Sequence, residues 1–139
     1  MNYQIRGIPN EMVSKVWNWA EPFIKRALDY TFGELSHEDI KRMCLERDAQ
    51  LWMIADEAGV VVGAGTTQIV FYPQMKVCRV LTLAGTRFDE WNAVTHSVIE
   101  AWARTQECSD MEHYVRRGFV PKLQELGYKH RYSVVHKTL

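Results

Sequence analysis

From Lys76 to Glu107 the sequence reads KVCRVLTLAGTRFDEWNAVTHSVIEAWARTQE. Lys76 to Leu83 is rich in valine, leucine and threonine and reads as a strand. Ala84 to Arg87 is a short connection. Phe88, Trp91, Val94, Thr95, Val98, Ile99 and Trp102 then recur in steps of three and four until about Glu107, which puts them on one face of a helix. Strand, tight turn and long amphipathic helix follow one another with no room for a linker.

The same reading extends outward in both directions. Gln50 to Ala55 is rich in strand formers, Asp56 to Gly59 reads as a hairpin turn, and Val60 to Phe71 is a longer strand. With Lys76 to Leu83 they form a meander. Gly63 and Gly65 inside the longer strand point to a bulge or a close backbone approach. Near the start, Tyr3 to Arg6 is a short strand. Pro9 and Asn10 open a helical stretch whose apolar residues run from Met12 to Leu28, and Pro22, lacking an amide hydrogen, predicts a kink or a second helix start. Ser36 with Asp39 three residues on resembles a capping box, and that helix extends to about Arg47. Downstream, Asp110 to Val115 is a strand and Gly118 to Leu126 a short helix. Gly127 stops that helix in a left-handed C′ position, and Tyr128 to Lys137 is a closing strand. The order is β-α-α-β-β-β-α-β-α-β: an α/β (α+β) fold with a mixed, mainly antiparallel sheet flanked by helices, in one domain over 1–139.

The totals suit that reading. A chain of 139 residues, 47% hydrophobic and 24% charged, builds one core. Seventeen basic and seventeen acidic side chains cancel, which argues against an electrostatic grip on nucleic acid. The apolar stretches are too short to span a bilayer, and the beginning carries no secretory pattern. Three cysteines without C-x-x-C spacing fit small core residues in a reducing cytoplasm. The five histidines form no His-x-x-x-His pair, so no metal site is expected.

Three segments carry a family resemblance. Leu51-Trp-Met-Ile-Ala-Asp-Glu-Ala-Gly-Val-Val-Val-Gly-Ala64 looks like the second and third strands of the GNAT fold superfamily of N-acetyltransferases. Lys76 to Glu107 resembles that family's cofactor-cradling strand, loop and helix. Leu123-Gln-Glu-Leu-Gly-Tyr128 is similar to its late Leu-Gly-Phe element. More narrowly, Tyr72-Pro73, Leu83-Ala-Gly85, Trp91 and Arg117-Gly-Phe119 resemble small GNAT-like proteins of tailed bacterial viruses and prophages. The resemblance covers essentially the whole chain.

It implies a site as well as a fold. In the family, acetyl-CoA lies where the fourth and fifth strands splay apart, its pantetheine arm on strand-four backbone and its pyrophosphate on amides opening the next helix. Those positions map to Leu83, Ala84, Gly85, Thr86 and Arg87. The family loop, (Gln or Arg)-x-x-Gly-x-(Gly or Ala), is reduced to Gly85 alone. Thr86 with Asp89 forms a capping-box-like pair that would occupy the helix amides, and Asp89 and Glu90 add negative charge. Where the family often has a tyrosine acid, counting back from Gly127 lands on Leu123. For a base, Glu112 and His113 stand on the fifth strand, and strand alternation lets only one face the cleft.

Other residues have simpler roles. Trp17, Trp91 and Trp102 lie on helical stripes and read as core, while Trp19 falls off its stripe and reads as a surface anchor. Arg116 and Arg117 beside Gly118 read as a solvated strand end, or as a grip on a phosphate or a partner carboxylate. Two functions stand open. One is an acyl-CoA-dependent N-acyltransferase acting on an amine of a small molecule or protein, in the cytoplasm (host cytoplasm if viral). The other is a non-catalytic GNAT-like protein of a virus or prophage that binds a protein partner or enters the virion.

Overall fold

A computed structural model describes residues 2–139. Five strands form one sheet in the order β1-β2-β3-β4-β5: Gln4–Ile8, Gln50–Ala55, Val61–Phe71, Lys76–Gly85 and Asp110–His113. The first four pair antiparallel and β5 joins β4 in parallel. A parallel neighbour needs a long crossover, and α3 (Phe88–Thr105) supplies it. The mixed, mainly antiparallel sheet read from the sequence is therefore present.

Strand alternation decides which helix covers which face. Leu51 and Met53 of β2 point to one side, where α1 (Val13–Leu28) and α2 (His37–Leu45) bury Val13, Trp17, Ala20, Ile24, Ile40 and Cys44 against them. Trp52 and Ile54 point to the other side and meet the α3 stripe through Trp91, Ile99 and Ala103. Ser36 and Asp39 form the expected capping box at α2. Pro22 sits inside α1, which continues through it. Its missing amide would have bonded the carbonyl of Asn18, and both residues are exposed, so that carbonyl stays open to solvent.

The glycines of β3 and β4 explain how α3 seats. Gly63 pairs with Gly85 across the ladder. A Cβ on Gly63 would lie 2.6 Å from Cζ2 of Trp91, and one on Gly85 2.8 Å from the same atom. The two positions are a notch for the Trp91 indole, which is fully buried and donates its Nε1–H to the carbonyl of Thr86 at 2.8 Å.

The closing strand expected over Tyr128 to Lys137 is not formed. After α4 (Val120–Gln124) and Gly127 in the left-handed region (φ 94°), residues 128–139 run without helix, turn or ladder. The Tyr128 amide donates to the Leu123 carbonyl at 3.1 Å, the last backbone bond at this end among the described residues. A strand exists only by pairing, and this alternation of side chains meets no edge of its own chain. β5 is also shorter than expected, ending at His113.

Candidate functional site

The site builds from β4. Its ladder to β3 is regular to Thr67↔Val80 and resumes at Thr66↔Thr82, leaving Leu81 as the extra residue of a bulge. Bulges re-aim strands and often sit beside sites. Thr66 and Thr82 flank it with a buried hydroxyl pair 2.7 Å apart. On the other side, the ladder to β5 starts at Val77↔Asp110 and stops at Val80↔His113. From Leu81 to Gly85, β4 has a partner on β3 only. β5 ends at that rung while β4 runs on, and the β4 edge left without β5 leads to the start of α3.

The approach to α3 differs from the sequence reading in one respect. Thr86 and Asp89 do not form a capping pair. The Thr86 hydroxyl and amide both donate to the Val62 carbonyl, at 3.4 and 2.8 Å, because the two-residue connection ties β4 back to β3. Arg87, in the left-handed region at φ 55°, becomes the N-cap and no side chain caps the helix. The Phe88 and Asp89 amides, which have no intrahelical partner, are therefore uncapped. The Arg87 guanidinium turns to Asp56 of the β2–β3 hairpin at 2.9 Å and lies over the Tyr3 ring. Asp89 is bridged by Lys122 of α4 at 2.7 Å. Gly85 also has a second role, since a side chain there would strike the Val62 carbonyl and the Gly63 Cα.

Glu112 and His113 face opposite ways, as alternation requires. Glu112 accepts from Arg79 Nε at 2.6 Å and from the Tyr72 hydroxyl at 2.9 Å, while Arg79 also reaches Tyr114. His113 stands at the last rung of the β4–β5 ladder and faces α3. Its ring lies 6.3 Å from His96, 6.4 Å from Tyr128 and 6.5 Å from Phe119. Phe119 in turn packs on Phe88 at 5.4 Å. Burial, with His96 beside it, pushes the His113 pKa down to about 4, and burial pushes His96 down to about 4. Both rings are neutral at pH 7. The Tyr128 phenol, 3.3 Å from His96 Nδ1, is raised by burial and stays protonated.

Four buried polar atoms in this region have no partner: Asn92 Oδ1, Thr95 Oγ1, His96 Nε2 and His113 Nδ1. All but the last belong to α3. Asn92 escaped the sequence reading, as did the burial of His96 and its meeting with Tyr128. The available signal was polar residues, Asn92, Thr95 and His96, on or beside the stripe that faces the sheet. Around the end of the β4–β5 ladder stand a strand edge without a β5 partner, two uncapped amides, a neutral imidazole and a protonated phenol.

Among the described residues, no helix is long and apolar enough to cross a membrane. No protein-family model and no curated protein matches the sequence. Solved structures do match in fold. Ribosomal-protein-alanine N-acetyltransferase from Brucella melitensis biovar Abortus 2308 superposes with TM-score 0.73 at 12% identity, over 99% of each chain. Glucosamine-6-phosphate N-acetyltransferase from Arabidopsis thaliana gives 0.65 at 14% identity, again over 99% of each. An aminoglycoside acetyltransferase from an uncultured soil metagenomic sample, solved with sisomicin, gives 0.72 at 10% identity, over 99% of this chain and 95% of that one.

Proposed function

We propose that this chain, which has the fold of the GNAT acetyltransferases, is an acyl-CoA-dependent N-acyltransferase acting on an amine. The observation that carries the reading is the β4–β5 ladder that stops at Val80–His113 while β4 runs on to Gly85.

The residues present fit acetyl-CoA. Main-chain donors and acceptors of Leu83, Ala84 and Gly85 suit an amide-bearing arm, and the uncapped amides of Phe88 and Asp89 suit a phosphate at a helix start. The phosphate end is reduced: the Thr86 amide is engaged by Val62, and Arg87 shares its charge with Asp56. When bound, the cofactor supplies an activated acyl thioester. On the protein side, His113 is the strand-five candidate that faces α3, and its neutral ring would accept a hydrogen bond that orients the amine. Glu112, held by Arg79 and Tyr72, stays in reserve as a base for an acceptor entering from the other face. The Tyr128 phenol, its ring 6.4 Å from that of His113, is the candidate proton donor, in the role that Leu123 lacks the chemistry to fill.

Thermal unfolding with and without acetyl-CoA tests the reading. Ligand at a hundred times its dissociation constant adds about 2.7 kcal/mol, and release of free CoA thiol on adding amines tests turnover. A flat melting response at millimolar acetyl-CoA overturns the enzyme reading. It would favour the second one, a non-catalytic GNAT-like protein of a virus or prophage. The observations on that side are the engaged Thr86 and Arg87 and the indole of Trp19, 59% exposed and suited to anchoring a protein partner.

A further inference from the structure

The neutral total of the chain conceals a division. Residues 116–139 carry Arg116, Arg117, Lys122, Lys129, Arg131 and Lys137 against Glu125 alone, which leaves eleven basic and sixteen acidic side chains for 1–115. A balanced total excludes a grip on nucleic acid only where the two signs are mixed, and here they are segregated. Among the described residues Lys122 is bridged to Asp89, while the other five cations have no acidic partner. All five are exposed. They also gather around one place. Arg116 and Arg117 follow His113, the end of β5, by three and four residues, and the tail leaves from Tyr128, whose ring is 6.4 Å from that of His113.

Aromatic rings accompany the charges. The Arg116 guanidinium lies over the Tyr30 ring at 4.0 Å, and Arg79 lies over Tyr114 at 4.4 Å. Tyr114 and Tyr132 are 64% and 87% exposed. From 128 to 132 the order is Tyr-Lys-His-Arg-Tyr. Successive side chains of an extended chain point to opposite sides, so Lys129 and Arg131 take one side and His130 and Tyr132 the other. A single nucleic-acid strand has the matching division, with phosphates along one side and stackable bases along the other. An acidic protein segment would use the cations and leave the rings idle. The tail forms no helix, so it has no apolar helical face to lay on a membrane.

We propose that residues 114–117 and 128–139 form a binding surface for single-stranded nucleic acid. Arg116, Arg117, Lys129, Arg131 and Lys137 meet its phosphates, and Tyr114 and Tyr132 stack on its bases. The surface is separate from the acyl-transfer reading and stands whatever the end of the β4–β5 ladder binds.

Fluorescence anisotropy of a labelled oligothymidylate of about sixteen nucleotides reads the binding at several salt concentrations. Binding below about 100 μM protein is expected at low salt, with log K falling against log[salt] at a slope of about −3 to −4 for five phosphate contacts. Truncation after Tyr128 removes three of the five cations and should bring the slope to about −1 to −2, with circular dichroism showing the fold intact. If that form does not fold, the full-length triple variant Lys129→Gln, Arg131→Gln, Lys137→Gln is expected to give the same reduced slope. Tyr132→Ala should keep the wild-type slope and bind about tenfold more weakly. An abasic oligomer of equal length should likewise bind the wild type more weakly than oligothymidylate does. No binding at about 100 μM protein in low salt overturns the proposal. So does a slope that the charge variants leave unmoved, or an abasic oligomer held as tightly as oligothymidylate. Poly-glutamate bound as tightly as oligothymidylate also overturns it and assigns the surface to an acidic protein segment.

Discussion

The indole of Trp91 occupies the space that side chains at Gly63 and Gly85 would fill, and its Nε1–H is satisfied by the Thr86 carbonyl. One contact thus fixes the start of α3 on the β3–β4 ladder and sets the geometry of the free β4 edge. Trp91→Ala should cost about 3–5 kcal/mol, the range for deleting a buried aromatic, measured by urea unfolding. A loss under 1 kcal/mol would contradict the seating described above. Gly85→Ala should cost at least about 1–3 kcal/mol as an overpacked position. Any loss of acetyl-CoA binding in that variant therefore reports on packing first.

Stability should fall as the solution is acidified through the histidine range. His96 and His113 have folded pKa values of about 4 against an ordinary 6.5. Between those values the unfolded chain binds more protons, so the contribution is fully present above pH 6.5 and lost as pH falls toward 4. The size is on the order of 2–3 kcal/mol for each ring at pH 4, taking about 1.4 kcal/mol per unit. His96→Phe should flatten the slope of melting temperature against pH between 6.5 and 4. An unchanged slope would show that His96 is not one of the groups responsible.

Arg87 separates backbone strain from charge. Its φ of 55° is costly for a side-chain-bearing residue, and its partner Asp56 is a partly exposed ion pair. Arg87→Ala loses the pair and keeps the strain, so it should be slightly destabilised. Arg87→Gly loses the pair and relieves the strain. The glycine variant should be more stable than the alanine variant by about 1 kcal/mol, and equal melting temperatures would count against a strained N-cap.

At α2, Ser36→Ala removes the hydroxyl that accepts from the Asp39 amide at 3.1 Å. The expected loss is about 1 kcal/mol. Asp39→Ala should cost a similar amount, because its carboxylate accepts from the Ser36 amide at 2.9 Å. The double variant should lose less than the sum, since the two bonds form one motif.

The strength of each sequence signal tracks what the chain does locally. The α3 stripe, the meander, the Ser36 capping box and the Gly127 stop are written in short-range patterns, and all four are present. Two readings failed where the deciding partner is remote in sequence. Thr86 was given to its own helix, yet the Val62 carbonyl, on the neighbouring strand, takes both its amide and its hydroxyl. Tyr128 to Lys137 has the side-chain alternation of a strand, but pairing is a property of the edge it meets. The site shows the same division. The opposed facing of Glu112 and His113 followed from period two, whereas the meeting of His96, His113 and Tyr128 depends on α3, β5 and the end of α4 converging.

Past the end of its ladder to β5, β4 offers only main-chain groups on that side, between Leu81 and Gly85. Peptide groups are the same whatever residue carries them, so such a surface imposes little on the alphabet written over it. Solved enzymes with this architecture share 10–14% of their residues with the chain, and a scan of substitutions along this strand would mostly register how well the interior fits together. Chemistry at this edge is best read by offering it small molecules, one by one.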